Sequence, residues 1–421
     1  MLKKERIRIG AYSPIQTFDE EHVKLLAEAG VDYAIYLMDH VSLIPTEYKA
    51  KIIEWMGKYK IEAAIRDMEI DKIVKGANML DLTKLDDMFF KDSPVFVDYA
   101  FMDEPGACHF DVLGEGAAAV KKQFPGRDVY INLLPMYANI RQLLNGPSER
   151  GDREIDENYT YRMYLDEFVE KVDIGNIGAD IYPCKRKRNP ECPEKYPEEY
   201  IPVTYDRYLH SIETVADKCR ETGRKFYATI QTCAGNGVYR KITPPELRWQ
   251  AYTMLSFGAE AIIYFTFARR KESVCSILDE NGKPTDLFYE SKKMTEGLKK
   301  ISDLYVSYKN VGAFTLGYDE GKTPYLYLEN PYDRERFGVI TDIESNTPLL
   351  IGCFEKKEGE GKAFTIVNQQ DWVEPMDSNI KMKIEGKVTK YYDGVPTVMT
   401  ANNGVYEFNL AQGDGMFVTV E

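Results

Sequence analysis

"SPVFVDYAFMDEPG", residues 93–106, sets a nearly continuous apolar run ahead of two acids, a proline and a glycine. A run this apolar has no water-facing side, so it reads as a strand buried on both faces, which is the habit of parallel sheets. Seven further runs share its character: "RIRIGAYS", "VDYAIYLM", "IEAAIRDM", "DVYINLLP", "IGNIGADIYP", "KFYATIQTC" and "EAIIYFTFA". Helical patterns alternate with them. "DEEHVKLLAEAG" (19–30) has acids in its first turn, apolar residues at helical spacing and Gly30 as a stop. "TEYKAKIIEWMGKYK", "DRYLHSIETVADKCRETG" and "PPELRWQAYTMLSFG" repeat the idea, the last with prolines suited to a first helical turn. Eight β/α units predict a (β/α)8 barrel, whose usual span is about 250 residues before loop insertions. A doubly wound sheet would carry a Gly-rich phosphate turn after its first strand, and "AYSPIQTF" has none.

After "LKKISDLYVSYKNVGAF" the period changes. "PLLIGCFEKK", "KAFTIVNQQ", "IKMKIEGKVTKYYDG", "GVYEFNL" and "GMFVTVE" are short alternating runs broken by Gly, Asn and Asp. They predict a small antiparallel β-sandwich over residues 316–421, packed on a barrel over residues 1–315. The 421 residues, 44% hydrophobic and 12% aromatic, are enough for one large core and a second, smaller one.

Composition excludes several roles. Sixty-eight acidic against 54 basic residues give a net charge of −14, which opposes a nucleic-acid partner because phosphate binding needs a basic face. No stretch approaches the roughly 20 apolar residues of a membrane span, and "MLKKERIRIGAYSP" has no apolar signal core, so a cytoplasmic location is expected. Seven scattered cysteines form no disulfide framework and fit a reducing compartment. Cys184 and Cys192 flank "KRKRNPE" without a CxxC or a neighbouring His, so they read as plain loop cysteines and not as a zinc clip. The oligomeric state is open, a homo-oligomer being compatible with the sequence.

In such barrels the C-terminal strand ends carry the chemistry. Read in order they offer Tyr12, Asp39 and His40, Arg66 and Asp67, Asp103 and Glu104, Asn132, Asp180 and Tyr182, Gln231, then Tyr264 and Thr266. A ring of carboxylates, phenols and amides suits a polyhydroxylated carbohydrate and offers little to a phosphate. No Ser-His or Cys-His arrangement occurs there, and His40 and His109 lack HxH or HExxH spacing, so neither metal nor organic cofactor is expected. Carboxylates remain for acid-base work. Glu104 is the candidate general acid, because a carboxyl half-buried after so apolar a strand has its pKa raised. The Asp-Glu-Pro order would also suit a helix N-cap or a loop ion pair. Asn132 and Tyr12 are candidate substrate contacts. Arg66 either binds substrate or neutralises the acids around it. Trp55 and Trp249 fall on helices as core residues, and Trp372 falls in the sandwich as packing or as a sugar platform. The basic run Lys185 to Arg188 follows the sixth strand, as a solvated loop or an attractor of acidic sugars.

These residues resemble the clan of retaining glycoside hydrolases on (β/α)8 barrels, which places its acid/base Glu at the end of the fourth strand, often as Asn-Glu-Pro; the match here is Asp103, Glu104 and Pro105. "LRWQAYTMLSFGAEAIIYFTFA" and "LDENGKPTDLFYESKKMTEGLKKI" are similar to the seventh helix, eighth strand and last helix of β-galactosidase-like members. The resemblance implies a glycosidase and a nucleophilic Glu at the end of strand seven, where "YATIQTCAGNG" instead has Gln231. Gln cannot form a glycosyl ester, and two substitutes stand open. The Asp103-Glu104 pair is similar to that of glycosidase families twenty and one hundred and twenty-three, which implies a substrate 2-acetamido group as nucleophile, with Asp103 polarising it and Tyr182 bonding its carbonyl. Alternatively Asp180 activates a water from the far face of the sugar, an inverting arrangement with carboxyls about 6.5 to 9.5 Å apart. Gln231 and Tyr264 remain as substrate contacts. A glycan-binding pseudo-glycosidase is the non-catalytic alternative, and a lyase or isomerase would be expected to show a strand-end Lys or a metal ligand set, which the sequence lacks.

Overall fold

The computed structural model describes residues 5–12, 19–37, 46–67, 70–74, 77–188, 200–235, 239–268 and 276–421. Asp39, His40 and Cys192 lie outside them. Eight parallel strands appear where the apolar runs predict: β1 Arg8–Tyr12, β2 Tyr33–Leu37, β3 Glu62–Ile65, β4 Phe96–Ala100, β5 in two pieces (Asp128–Tyr130 and Asn132–Leu133), β6 Asn176–Asp180, β7 Lys225–Gln231 and β8 Ala259–Phe265. Every pairing between neighbours is parallel. The first piece of β5 pairs with β4 and the second with β6. One strand thus forms both ends of the sheet, which closes it into a barrel and removes its open edges.

The interior is narrow and aromatic. Tyr12, Tyr33, Ile35, Val97, Tyr130, Tyr227 and Ile263 fill it in contact. Gly10 and Gly178 make room, since a Cβ would stand 2.8 Å from Ile263 Cγ1 at the first and 2.8 Å from the Ile131 carbonyl at the second. At the floor the Tyr33 hydroxyl donates to Asp98 (2.6 Å), and Arg8 both donates to Asp98 (3.3 Å) and lies 4.6 Å over the Tyr33 ring. The buried carboxylate is therefore paired, as a charge in a barrel core must be.

Helices cover the outside. α1 (Glu20–Glu28) starts where Asp19 accepts the His22 N–H (2.9 Å), and Gly30 follows it at φ +87°. α2 (Thr46–Lys58), α3 (Phe110–Gln123), α4 (Tyr161–Lys171), α5 (Tyr208–Thr222), α6 (Pro244–Ser256) and α7 (Asp286–Val306) follow. The eight-fold alternation is broken once. Between β3 and β4 the described residues hold a two-stranded hairpin (Asp71–Val74 with Ala77–Leu80) and a 3₁₀ turn over Leu82–Asp87, a run too short to nucleate an α-helix.

The C-terminal region is the expected β-sandwich, a six-stranded antiparallel sheet facing a three-stranded one (Ile340–Ser345, Ser378–Ile384, Val405–Leu410) across a common apolar core. Its first strand, Tyr308–Leu316, pairs with Leu349–Lys356, so sandwich pairing begins at residue 308 and runs through the expected 315/316 boundary. The six-stranded sheet turns its other face to the barrel. α6 lies in that seam, buried from Glu246 through Ser256. Its polar side chains are matched across it: Trp249 Nε1 to Gln369 (2.9 Å), Gln369 Nε2 to Thr253 (3.0 Å), Thr365 Oγ1 to Ser256 Oγ (2.7 Å), and Arg248 to Asp414 and Asp393 (2.9 Å), with Glu290 of α7 also within 3.2 Å of Arg248 on the barrel side. Trp249 is core, as expected, and Trp372 packs edge-on against it at 5.6 Å. No described helix is long and apolar enough to cross a membrane.

The seam leaves no room at Gly352, where a Cβ would fall 2.2 Å from the Ser256 carbonyl oxygen. Gly352→Ala is expected to part barrel from sandwich locally and lower stability by about 1–3 kcal/mol, read as a drop in Tm; an unchanged Tm would show that the seam accommodates a methyl group.

Candidate active site

A cleft of about 650 Å³ opens at the C-terminal ends of the barrel strands, lined by Tyr12, Asp103, Glu104, Asn132, Asp180 and Tyr182 together with Tyr137, Gln231, Tyr239 and Phe265. The sequence around the acid pair is explained by its surroundings. Glu104 stands at φ +49°, a left-handed conformation that costs a side-chain-bearing residue about 1–2 kcal/mol. It is held there by its own N–H, which donates to the Asn132 carbonyl (2.8 Å), and by the Tyr164 hydroxyl, which donates to the carbonyl of Pro105 (2.6 Å). Gly106 must lack a side chain, since a Cβ would lie 2.1 Å from the Gly146 nitrogen.

Three carboxyl groups converge. Asp103 accepts the Tyr12 hydroxyl at 2.5 Å through one oxygen and Asn132 Nδ2 at 3.2 Å through the other. Asp180, at the end of β6, accepts the same Asn132 nitrogen at 3.2 Å. Among the described lining residues there is no lysine or arginine. Burial therefore raises the Glu104 carboxyl well above the usual carboxylate range, and the charges of Asp180 and Asp103 push it the same way. Asp180 is pushed up to about 7, first by burial and then by Asp103, against the pull of hydrogen bonds from Asn132 and Tyr182. Such a cluster carries shared protons near neutral pH and can both give and take one. No described group of three or more His, Cys, Asp or Glu residues is arranged to hold a metal ion.

The other expected site residues divide. Tyr182 lines the cleft, stacked on Phe265 with ring centroids 5.4 Å apart and edge-on to Tyr239 at 5.5 Å. Gln231 reaches the cleft wall, but its amide is spent on the backbone: Oε1 accepts Cys184 N–H (3.0 Å), and Nε2 faces the carbonyls of Cys184, Cys233 and Arg240 at 3.0 to 3.3 Å. It ties the base of the Cys184–Arg188 strand to the loop after β7. Arg66 is buried beside Asp71, bonded through Nε at 3.0 Å, and does not line the cleft. Tyr264 is a correction. Side chains alternate along β8, so Ile263 and Phe265 face inward while Tyr264 faces the helices, its hydroxyl receiving that of Ser291 at 3.0 Å. Thr266 is likewise internal, donating to the Ala268 carbonyl at 2.6 Å.

Sequence reasoning missed Phe265, Tyr137 and Tyr239. The first was available from the two-residue period of β8. The others belong to loops, Tyr137 in "LLPMYAN" and Tyr239 after "AGNG", and no periodicity marks them; their hydroxyls meet at 3.3 Å across the cleft.

No family profile matches the chain, and no curated protein is significantly similar to it in sequence. Solved structures are similar in fold. A catalytic mutant of a family 42 β-galactosidase from G. stearothermophilus superposes with a TM-score of 0.56 at 8% identity, covering 99% of this chain and 98% of that one. A glycoside hydrolase of family 5 from Bacteroides vulgatus gives 0.50 at 10% identity over 99% and 89%. The chain spans 60% and 58% of the β-galactosidases of Marinomonas ef1 and Halorubrum lacusprofundi. At these identities the likeness is one of fold, a barrel followed by a sandwich.

The raised Asp180 pKa has a consequence for stability. Its proton is held to about pH 7 when folded and only to about 3.9 when unfolded, so the stability it contributes is full below pH ~4 and lost as pH rises through 7. Asp180→Asn is expected to raise Tm at pH 8 relative to the wild type, with the gap closing towards pH 4; a gap independent of pH would contradict the assignment.

Proposed function

We propose that the protein is a glycoside hydrolase in which Glu104 is the general acid and Asp180 the carboxylate that activates water. The observation that carries this reading is the convergence of three carboxyl groups, with no cation among the described lining residues, in a cleft at the strand ends of a barrel whose structural relatives are glycoside hydrolases. Glycoside hydrolysis needs one protonated and one ionised carboxyl group on opposite sides of the scissile bond. Glu104 is the better proton carrier, buried and pushed up by two neighbouring acids. Asp180, with a pKa of about 7, is matched to removing a proton from water near neutral pH.

In the step, the Glu104 proton passes to the glycosidic oxygen as the bond from that oxygen to the anomeric carbon breaks. A water oxygen bonds to the anomeric carbon and its proton passes to Asp180. Both carboxyls then return to their starting states by exchange with solvent. Asp103, already bonded to Tyr12 and Asn132, supports the positive charge of the oxocarbenium-like transition state. The committed amide of Gln231 fits a site that makes no covalent intermediate at strand seven.

Glu104→Gln is expected to cut kcat/KM by about 10²–10⁴ on glycosides with poor leaving groups, and much less on activated aryl glycosides that need no proton. A panel including plain hexosides and N-acetylhexosaminides, with the anomer of the first product read by NMR, tests the route. Inversion supports Asp180, retention confined to N-acetylated substrates returns the role to Asp103, and unaltered activity in Glu104→Gln overturns the site. Absence of turnover on every substrate, with glycan binding retained, would favour a glycan-binding protein.

A further inference from the structure

Asn132 touches all three acids of the cluster. Its Nδ2 donates to Asp103 Oδ1 and to Asp180 Oδ1, each at 3.2 Å, which holds those two oxygens no more than twice that distance apart. Its main-chain carbonyl accepts the Glu104 N–H at 2.8 Å and so fixes the acid in its left-handed conformation. The side chain is 3% exposed, and its Oδ1 is buried with no protein partner. The position follows from topology. Asn132 opens the second piece of β5, where the strand leaves β4 and takes up β6, opposite Gly178. Asp103 follows β4 and Asp180 ends β6, so a residue at the switch reaches both.

We propose that Asn132 is the positioning residue of the carboxyl cluster, its two amide hydrogens favouring the ionised forms of Asp103 and Asp180 and so biasing the cluster's proton towards Glu104. This rests on the glycosidase reading for its catalytic consequence and on the geometry alone for its effect on protonation. An N–H donor favours the ionised form of a carboxyl group, and two carboxylates sharing one nitrogen repel less than two facing each other. Among the described residues, the other titratable groups around the cluster are the phenols of Tyr12, Tyr36, Tyr130, Tyr137, Tyr182 and Tyr239 and the Cys233 thiol, with Arg66 acting on Tyr36 as a nearby cation. Burial raises the phenols of Tyr36, Tyr130, Tyr137, Tyr182 and Tyr239, so these stay neutral in the range where the acids titrate.

Two variants separate this role from plain packing. Asn132→Leu keeps the volume and removes both hydrogen bonds; Asn132→Asp keeps the shape and the acceptor but replaces the donor by a fourth carboxyl group. The first readout needs no substrate, namely Tm against pH from 4 to 9. The fall in stability through neutral pH is expected to move to higher pH by roughly one unit in Asn132→Leu and further in Asn132→Asp. The acidic limb of kcat/KM should move the same way, with kcat reduced more than KM is raised. A loss of Tm equal at all pH values, greater in the leucine than in the aspartate variant, would overturn the proposal. If the leucine variant does not fold, Asn132→Ser at the same readout decides. A shifted stability curve in a protein that hydrolyses no glycoside would leave the positioning role standing and remove the glycosidase reading, so the two fail separately.

Discussion

The closure of the parallel sheet through β5 is the constraint from which the rest of the structure follows. A parallel sheet must be covered on both faces, and an unpaired edge would leave backbone donors and acceptors open. Here the strand parts at Ile131, its first half bonded to β4 and its second to β6. All eight C-terminal ends then form one ring, and acids far apart in the chain, Asp103 and Asp180, come to share the nitrogen of Asn132. The same closure makes the barrel so narrow that tyrosines fill it only because Gly10 and Gly178 yield space.

Electrostatics at the ring follow from what is absent among its described residues as much as from what is present. Arg66 bonds Asp71 and Arg8 bonds Asp98, and neither lines the cleft. Hydrogen bonds from the Tyr12 hydroxyl and the Asn132 amide favour negative charge, but burial outweighs them, and Glu104 and Asp180 hold protons to higher pH than they would in water. The burial that raises these acids costs the fold stability as the pH rises through neutral.

The second half of the chain serves the first through one helix. α6 is flanked by barrel and sandwich and buried along nearly its whole length, and its polar residues find partners on both sides. Gln250, for instance, bonds both the N–H and the carbonyl of Gln231, at 2.9 and 3.0 Å. The seam is thereby linked to the end of β7, and the Gln231 amide in turn pins the Cys184 strand beside the cleft.

The sequence by itself determined the architecture and put the carboxyl residues at the strand ends. Eight apolar runs with helical patterns between them, and no Gly-rich turn after the first, pointed to a parallel barrel over a doubly wound sheet, the later alternating runs to a sandwich, and the Asp-Glu pair after so apolar a strand to a partly buried acid. The two-residue period of β8 separates Phe265 from Tyr264, and tertiary structure decided which of the other strand-end residues spend themselves on the protein. Tyr264 and Phe265 are adjacent and equally aromatic, and only the side of the sheet on which each falls separates a core residue from a cleft wall. Gln231 and Asn132 are both strand-end amides; one is consumed by backbone groups and the other by two carboxyl groups. Hydrogen-bond partners lie tens of residues away in the chain, and local periodicity carries no information about them.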